Sequence, residues 1–482
     1  MDAMYDNYGL YIGGEWRKAS DGGTYPVIDP ATEDVIGEAP SATEADVEAA
    51  IAAAEEGLKV WRATQPWARS KIIRRIGELL EERSDEIARM MTREMGKPLP
   101  QAKIEIQMSA DQFIWYAEET KRIFGQIIES RQPDHRLMVT HQPVGVVAAF
   151  SAWNFPAILS SRKMAPALAA GCSIIVRPSE EAPGTVMAIV KACEDAGVPK
   201  GVVNLLTGKA SRIAGPLMAS EAVRKISLTG STNVGKLMIR QSADTVKKLS
   251  MELGGHAPVI VFDDVDPEKT AETLAIAKYR NAGQVCVSPS RFYIHESRKK
   301  AFTERFAEVA RRLKLGNGLD EGVDMGPLAT RKRLEEIEKL VEDTRAEGAT
   351  LLAGGKRPAG FNRGFFYEPT VFDNVRDDGR LMVEEPFGPV APLTTFRDFD
   401  EVMERANSLE MGLAGFVFTA SQKTAHAASE RLEVGMVGVN TLAIATAEAP
   451  FGGIKQSGYG REGGTFGIHD YLNVKLTSMV MV

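Results

Sequence analysis

Residues 144–177 read VGVVAAFSAWNFPAILSSRKMAPALAAGCSIIVR, and their rhythm decides the fold. Val144 to Phe150 is an apolar run of strand length. Pro156 to Ala170 is long, Ala- and Leu-rich, and opens on a proline, as a helix does. Ser173 to Arg177 returns to β-branched residues and strand length. The alternation continues outward. A helix is predicted from Thr185 to Ala196, ended by Gly197, and a strand from Val202 to Leu206. A helix from Ser211 to Ser220 and a strand from Lys225 to Leu228 follow. Short apolar strands separated by helices predict a parallel sheet covered on both faces. A similar alternation resumes at Pro258 to Phe262 and runs to about Ala449. The expected fold class is therefore α/β, with two parallel-sheet α/β domains.

Upstream, the first forty residues are turn-rich and read as short surface strands. Thr43 to Arg83 is helical by pattern, with Ser41 or Thr43 available as a cap. A second helix is predicted from Ser84 to Met95, stopping at Gly96-Lys97-Pro98, and a third from about Pro100 to Phe124. Two segments stand apart. Ile123 to Gln142 has few helix signals and is expected to project as a hairpin. Tyr471 to Val482 alternates like an exposed strand, for which a sister subunit is the simplest pairing partner.

The chain has 482 residues, 44% of them hydrophobic and 26% charged, the composition of a globular protein with a large core. A net charge of −7 argues against a general nucleic-acid surface. Three unpaired-looking cysteines, Cys172, Cys193 and Cys286, suggest neither a disulfide framework nor a metal knuckle, and no metal site is expected. The N-terminus has neither a basic start nor an apolar run. The longest charge-free stretch, Gln142 to Ser161, is broken by Asn154 and two prolines, so no membrane span is expected either. A cytoplasmic location is the natural expectation.

Cys286 is the candidate nucleophile, a thiol at the end of Asn281-Ala282-Gly283-Gln284-Val285-Cys286. Glu252, flanked by Gly254 and Gly255, is the candidate base. Together they would form a thioester and hydrolyse it. Gly230-Ser231-Thr232-Asn233-Val234-Gly235 follows a strand and opens a helix, where a pyrophosphate could meet free N–H groups. It matches neither common phosphate-loop pattern, and alone it is only a tight turn. Glu180, in Arg177-Pro178-Ser179-Glu180, could accept from ribose hydroxyls and repel a 2′-phosphate; Arg177 pulls the other way. The pair is also consistent with a solvated ion pair. Asn154 could donate to an oxyanion or merely cap a helix. Cys172, Cys193 and His256 read as packing or loop residues.

In order along the chain stand Trp153-Asn154-Phe155-Pro156, Arg177-Pro178-Ser179-Glu180, Gly230-Ser231-Thr232, Glu252-Leu253-Gly254-Gly255 and Gly283-Gln284-Val285-Cys286. Glu385-Pro386-Phe387-Gly388-Pro389 and Pro450-Phe451-Gly452-Gly453 follow. In these motifs the chain resembles the NAD(P)-dependent aldehyde dehydrogenase superfamily over nearly its full length, especially the enzymes for succinate and 2-oxoglutarate semialdehyde. The resemblance implies that Cys286 is the nucleophile, Glu252 the base, and Asn154 with the Cys286 N–H the oxyanion hole. Trp153, Arg177, Glu180, Gly230, Ser231, Gly235 and Glu385 match dinucleotide contacts. Arg162 and Arg280 match positions that bind a substrate carboxylate, a reading favoured over that of an ordinary surface or interface pair.

The same resemblance implies a cofactor domain (1–121 and 143–253), a catalytic domain (254–450) and a small β oligomerisation element (122–142 and 465–482) of a homodimer or homotetramer. NAD is the expected cofactor, with NADP possible. Arg177 stands where the family usually has lysine, which weakens that inference. Ser288 stands where some relatives carry a second cysteine, so no redox pair is expected. The expected reaction is oxidation of succinate semialdehyde. The alternatives are 2-oxoglutarate semialdehyde, glutarate semialdehyde or a broad set of aldehydes, and, in another class, a catalytically silent nucleotide-binding protein on the same fold.

Overall fold

Strand Val146–Phe150 lies at the centre of a sheet, paired in parallel with Ser173–Arg177 on one side and Val223–Thr229 on the other. All five of its residues are buried, which is why it reads as a continuous apolar run. The coordinates are a computed structural model that describes residue 5 and residues 8–481. Val203–Leu205 and Lys248–Glu252 extend the parallel core of an eight-stranded sheet. Its outer strands, Glu15–Arg17, Leu10–Ile12 and Gly458–Tyr459, join antiparallel. Leu10–Ile12 is fully buried, not the surface strand expected, because it completes this sheet beside Leu205.

A second, seven-stranded sheet has the order Thr350–Ala353, Thr370–Asp373, Val390–Phe396, Pro289–His295, Ala257–Val261, Ala414–Phe418, Met436–Val439. Only its first strand is antiparallel. Each sheet has its own apolar core, so the molecule is mixed α/β with two mainly parallel sheets, as the alternation implied.

Helix Pro156–Ala170 connects the two strands quoted at the outset and is buried along its whole length. Pro156 occupies its first turn, and Gly171, at φ 90°, ends it in the left-handed region. The stretch from Thr43 to Arg83 divides into two helices, Glu44–Ala63 and Pro66–Glu82. Thr43 and Asp46 form a capping box at the first. Pro66, which has no N–H to give a preceding helix, begins the second.

The C-terminal strand Leu472–Val480 finds its partner within the chain. It pairs antiparallel with His135–Pro143, which pairs in turn with Gln126–Glu129. Leu472–Val480 is an edge strand of this three-stranded sheet, and among the described residues its other edge is left open. Phe124, Ile127, Val474 and Leu476 remain exposed around this small sheet. No helix among the described residues is long and apolar enough to cross a membrane.

Candidate active site

A cavity of about 810 Å³ opens at the carboxyl ends of the parallel strands and reaches across to the second sheet. That is where ligands gather in open α/β sheets. Nine of the residues singled out from sequence line it: Trp153, Asn154, Arg177, Glu180, Gly230, Ser231, Glu252, Cys286 and Glu385. Arg177 and Glu252 end strands of the first sheet and Cys286 precedes strand Pro289–His295 of the second, so the cavity lies where the two halves meet.

The Cys286 loop is built on unusual backbone. Asn281, Ala282 and Gly283 follow one another at φ 50°, 52° and 72°. The left-handed region is costly for asparagine and alanine, and such strain persists only where surroundings enforce it. Here they do. The Gln284 side chain donates to Asn281 O (3.1 Å) and accepts from Ala329 N–H (2.9 Å). A Cβ at Gly283 would lie 2.1 Å from Gly388 O, so only glycine fits. The Asn154 side chain donates to Gln284 O at 3.1 Å, tying the amide to the loop that carries Cys286. Burial pushes the Cys286 thiol from an ordinary 9.0 up to about 12, with Glu385 and Glu252 adding to the shift and Arg162 opposing it.

Glu252 ends strand Lys248–Glu252 and is buried with neither carboxylate oxygen hydrogen-bonded. Burial and then the charge of Glu462 raise its pKa well above the usual carboxylate range, against Lys163, Arg162 and Arg461. Such a carboxyl holds a proton near neutrality and, once ionised, is a strong base. Lys163 forms a buried ion pair with Glu462 and donates to Thr229 Oγ1 at 2.7 Å.

The remaining lining suits a dinucleotide. Ser231 caps helix Thr232–Ser242, its hydroxyl accepting from Val234 N–H at 3.4 Å. The helix N-terminus thus faces the cavity beside Gly230. Gly235 does not line the cavity; a Cβ there would lie 2.5 Å from Leu253, so it permits close packing of that helix. Ser179 Oγ and Glu385 Oε1 are buried without a protein partner, as groups awaiting ribose hydroxyls would be. Burial raises Glu385 to about 8. Arg177 donates to Glu180 at 2.9 Å and to Gly208 O at 2.7 Å, so its guanidinium is already engaged.

Arg162 and Arg280 stand behind the lining. Arg162 is buried 4.1 Å from the Phe451 ring centroid, and its Nε has no partner. Arg280 is reached by solvent, with its guanidinium 5.6 Å from the Phe155 ring in a crowded recess. Desolvation lowers both pKa values, opposed first by Glu462 at Arg162 and by Glu105 at Arg280.

Residues 16–477 match the model of the aldehyde dehydrogenase family. The chain belongs to that family. Among curated relatives it is 45% identical over 474 residues to a glutarate-semialdehyde dehydrogenase of Pseudomonas putida, covering 98% of each chain. It is 43% identical over 464 residues to an NADP(+)-linked succinate-semialdehyde dehydrogenase of Escherichia coli, covering 96% of each. The crystal structure of succinate-semialdehyde dehydrogenase from Burkholderia pseudomallei superposes with a TM-score of 0.96 at 43% identity, covering 98% of each chain.

The cavity of this aldehyde dehydrogenase also involves residues to which the sequence reading gave no role. Glu462 had a signal: like Glu252, it is an acid beside glycines, in Gly460-Arg461-Glu462-Gly463-Gly464. Lys163 had none, because a lysine beside Arg162 on a helix looks like solvated charge. Gly452 matters by what it lacks: a Cβ there would lie 2.7 Å from Glu252 Oε1. Phe387 meets Trp153 edge-on at 5.5 Å and closes one wall of the cleft.

Proposed function

We propose that this aldehyde dehydrogenase oxidises succinate semialdehyde to succinate, with NAD preferred over NADP. One observation carries the reading: thiol, carboxyl and side-chain amide converge on one dinucleotide-sized cavity, with Arg162 and Arg280 behind its lining, against Phe451 and Phe155. An arginine fork can take a carboxylate bidentately, so the substrate carries an acid group away from its aldehyde. Glu180 on the cavity wall disfavours a 2′-phosphate, and Arg177 is occupied by Glu180 and Gly208.

The chemistry follows from the groups present. Cys286 Sγ gives its proton to water in the cleft and bonds to the aldehyde carbon, and the C=O π pair moves onto oxygen. Asn154 Nδ2, aimed by Gln284 O, donates to the oxyanion that results. NAD, when bound, supplies the hydride acceptor. The carbon left on sulfur is then a thioester. Glu252 takes a proton from water, and the hydroxide releases the acid from Cys286. Lys163, Arg162 and Arg461 favour the ionised Glu252 that this step needs, and Glu462 favours the proton it takes up.

The parts divide accordingly. Residues 1–121 and 143–253 bind the dinucleotide, and residues 254–450 carry the thiol. The small sheet from 122–142 and 465–482 joins copies in a homodimer or homotetramer.

Glutarate semialdehyde, one methylene longer, is the second reading, favoured by the 45% identity to the Pseudomonas putida relative. A panel of succinate, glutarate and 2-oxoglutarate semialdehydes and a neutral aldehyde, each with NAD and NADP, separates them by kcat/KM for NAD(P)H formation. Succinate semialdehyde with NAD should lead. A neutral aldehyde used as well as the acids would remove the carboxylate pocket, and no turnover of any aldehyde would remove the function.

A further inference from the structure

A buried ion pair outside the reacting groups grips the segment that carries Asn154. Lys97 and Glu105 are each 1% exposed and bond to one another. Lys97 comes from Gly96-Lys97-Pro98, and Glu105 from helix Leu99–Glu119. Lys97 Nζ also donates to Asn154 O at 2.9 Å and sits 3.9 Å from the centroid of the Phe155 ring. Glu105 uses its other oxygen, Oε1, to accept from Ala157 N–H (2.9 Å) and Ile158 N–H (3.3 Å).

Those two amides open helix Pro156–Ala170, whose own N-cap residue, Phe155, provides no side-chain cap. Glu105 therefore caps that helix from another element, and its charge suits the positive helix end. The turn is held on both sides: its carbonyl by Lys97, its amides by Glu105. Asn154 O accepts a second bond, at 3.0 Å, from Asn281 Nδ2 of the nucleophile loop. Asn281 N–H in turn donates to Gln101 on the same helix as Glu105, at 2.9 Å. One helix thus braces both the amide and the loop that carries the thiol.

Simple packing does not require this arrangement. Two buried charges are costly to desolvate, and apolar side chains would fill the space as well. They would not hold a carbonyl and two amides in register. We propose that the Lys97–Glu105 pair is a positioning device that sets the direction of the Asn154 side-chain amide toward the substrate oxyanion. The inference rests on the reading of Asn154 as the oxyanion donor.

The test is a double-mutant cycle on the full chain, with the aldehyde that the wild type uses best and NAD. Lys97→Met and Glu105→Gln are made alone and in an Asn154→Ala background. Each single change should lower kcat by roughly 10- to 100-fold, the scale of a misplaced catalytic group. KM for aldehyde and for NAD should stay within about threefold. Alkylation of Cys286 by iodoacetamide, which develops no oxyanion, should change by less than about twofold. In the Asn154→Ala background the same changes should cost less than about twofold in kcat, because the group they aim is gone.

Unchanged kcat in both single variants overturns the proposal. So do full, additive losses in the Asn154→Ala background, which would mark the pair as scaffold. Glu105→Gln keeps an acceptor for Ala157 and Ile158, so it decides the matter if Lys97→Met does not fold. A wild type that oxidises no aldehyde defeats the functional reading and the inference with it. A wild type that does, with additive losses, defeats only the inference.

Discussion

The resting state of Cys286 gives the sharpest prediction. Burial, aided by Glu385 and Glu252, moves its pKa from 9.0 to about 12. At pH 8 an ordinary thiol is ionised in about one molecule in ten; at a pKa of about 12 the fraction is about one in ten thousand. The site thus suppresses thiolate by roughly a thousandfold, or about 4 kcal/mol, before substrate or cofactor arrives. Because thiolate is the reacting species, alkylation of the free protein by iodoacetamide should be slow, on the order of a thousandfold below a small-molecule thiol at the same pH.

The sign is set by the direction of the shift. A raised thiol pKa means that the rate climbs about tenfold per pH unit and shows no plateau up to about pH 10.5. Peptide mapping by mass spectrometry assigns the label. Cys172 and Cys193 are buried and should stay unmodified in the native protein. Cys286→Ala removes the signal altogether. Arg162 opposes the shift, so Arg162→Met should slow alkylation further at fixed pH. A plateau at or below pH 9 would refute the reasoning, because it would mean that desolvation does not dominate at this sulfur.

Three other perturbations probe neighbouring parts. Glu252→Gln should leave a rapid burst of NADH close to one per active site and cut the steady rate by roughly a hundredfold or more; stopped-flow absorbance reads both phases, and an unchanged steady rate would contradict the base role. Gly452→Ala places a Cβ 2.7 Å from Glu252 Oε1, so it should slow thioester hydrolysis about tenfold or more while the burst survives; loss of the burst instead would mean a broader collapse. Replacing Arg162 and Arg280 singly by alanine removes a charge-assisted contact worth about 1.5–3 kcal/mol. Each should raise KM for succinate semialdehyde by roughly 10- to 150-fold. KM for a neutral aldehyde should barely move, and equal effects on both substrates would count against the pocket.

Local pattern carried much of the architecture. Pro156 to Ala170 and Ser173 to Arg177 match the helix and strand seen, because a buried parallel sheet writes itself as apolar runs and its helices end at glycine. Where the pattern misled, a neighbour in space was responsible. Leu10–Ile12 looks like surface sequence until it is paired beside Leu205. The C-terminal strand keeps one open edge, as its alternation suggests, and pairs the other with His135–Pro143, distant in sequence.

For the site, the chain alone offered candidates. A thiol and a carboxylate stood near glycines and an amide stood between a strand and a helix, and the order of these motifs carried the family resemblance. Sequence could not say that Lys163 would be buried against Glu462, or that Glu105 would cap the distant helix that begins at Pro156. Nor could it say that a Cys286 thiol would be held neutral. Residue type and spacing are local properties, and one-dimensional order preserves them. Burial, pKa and ion pairing depend on which distant groups exclude water around an atom, and only the folded chain brings those groups together.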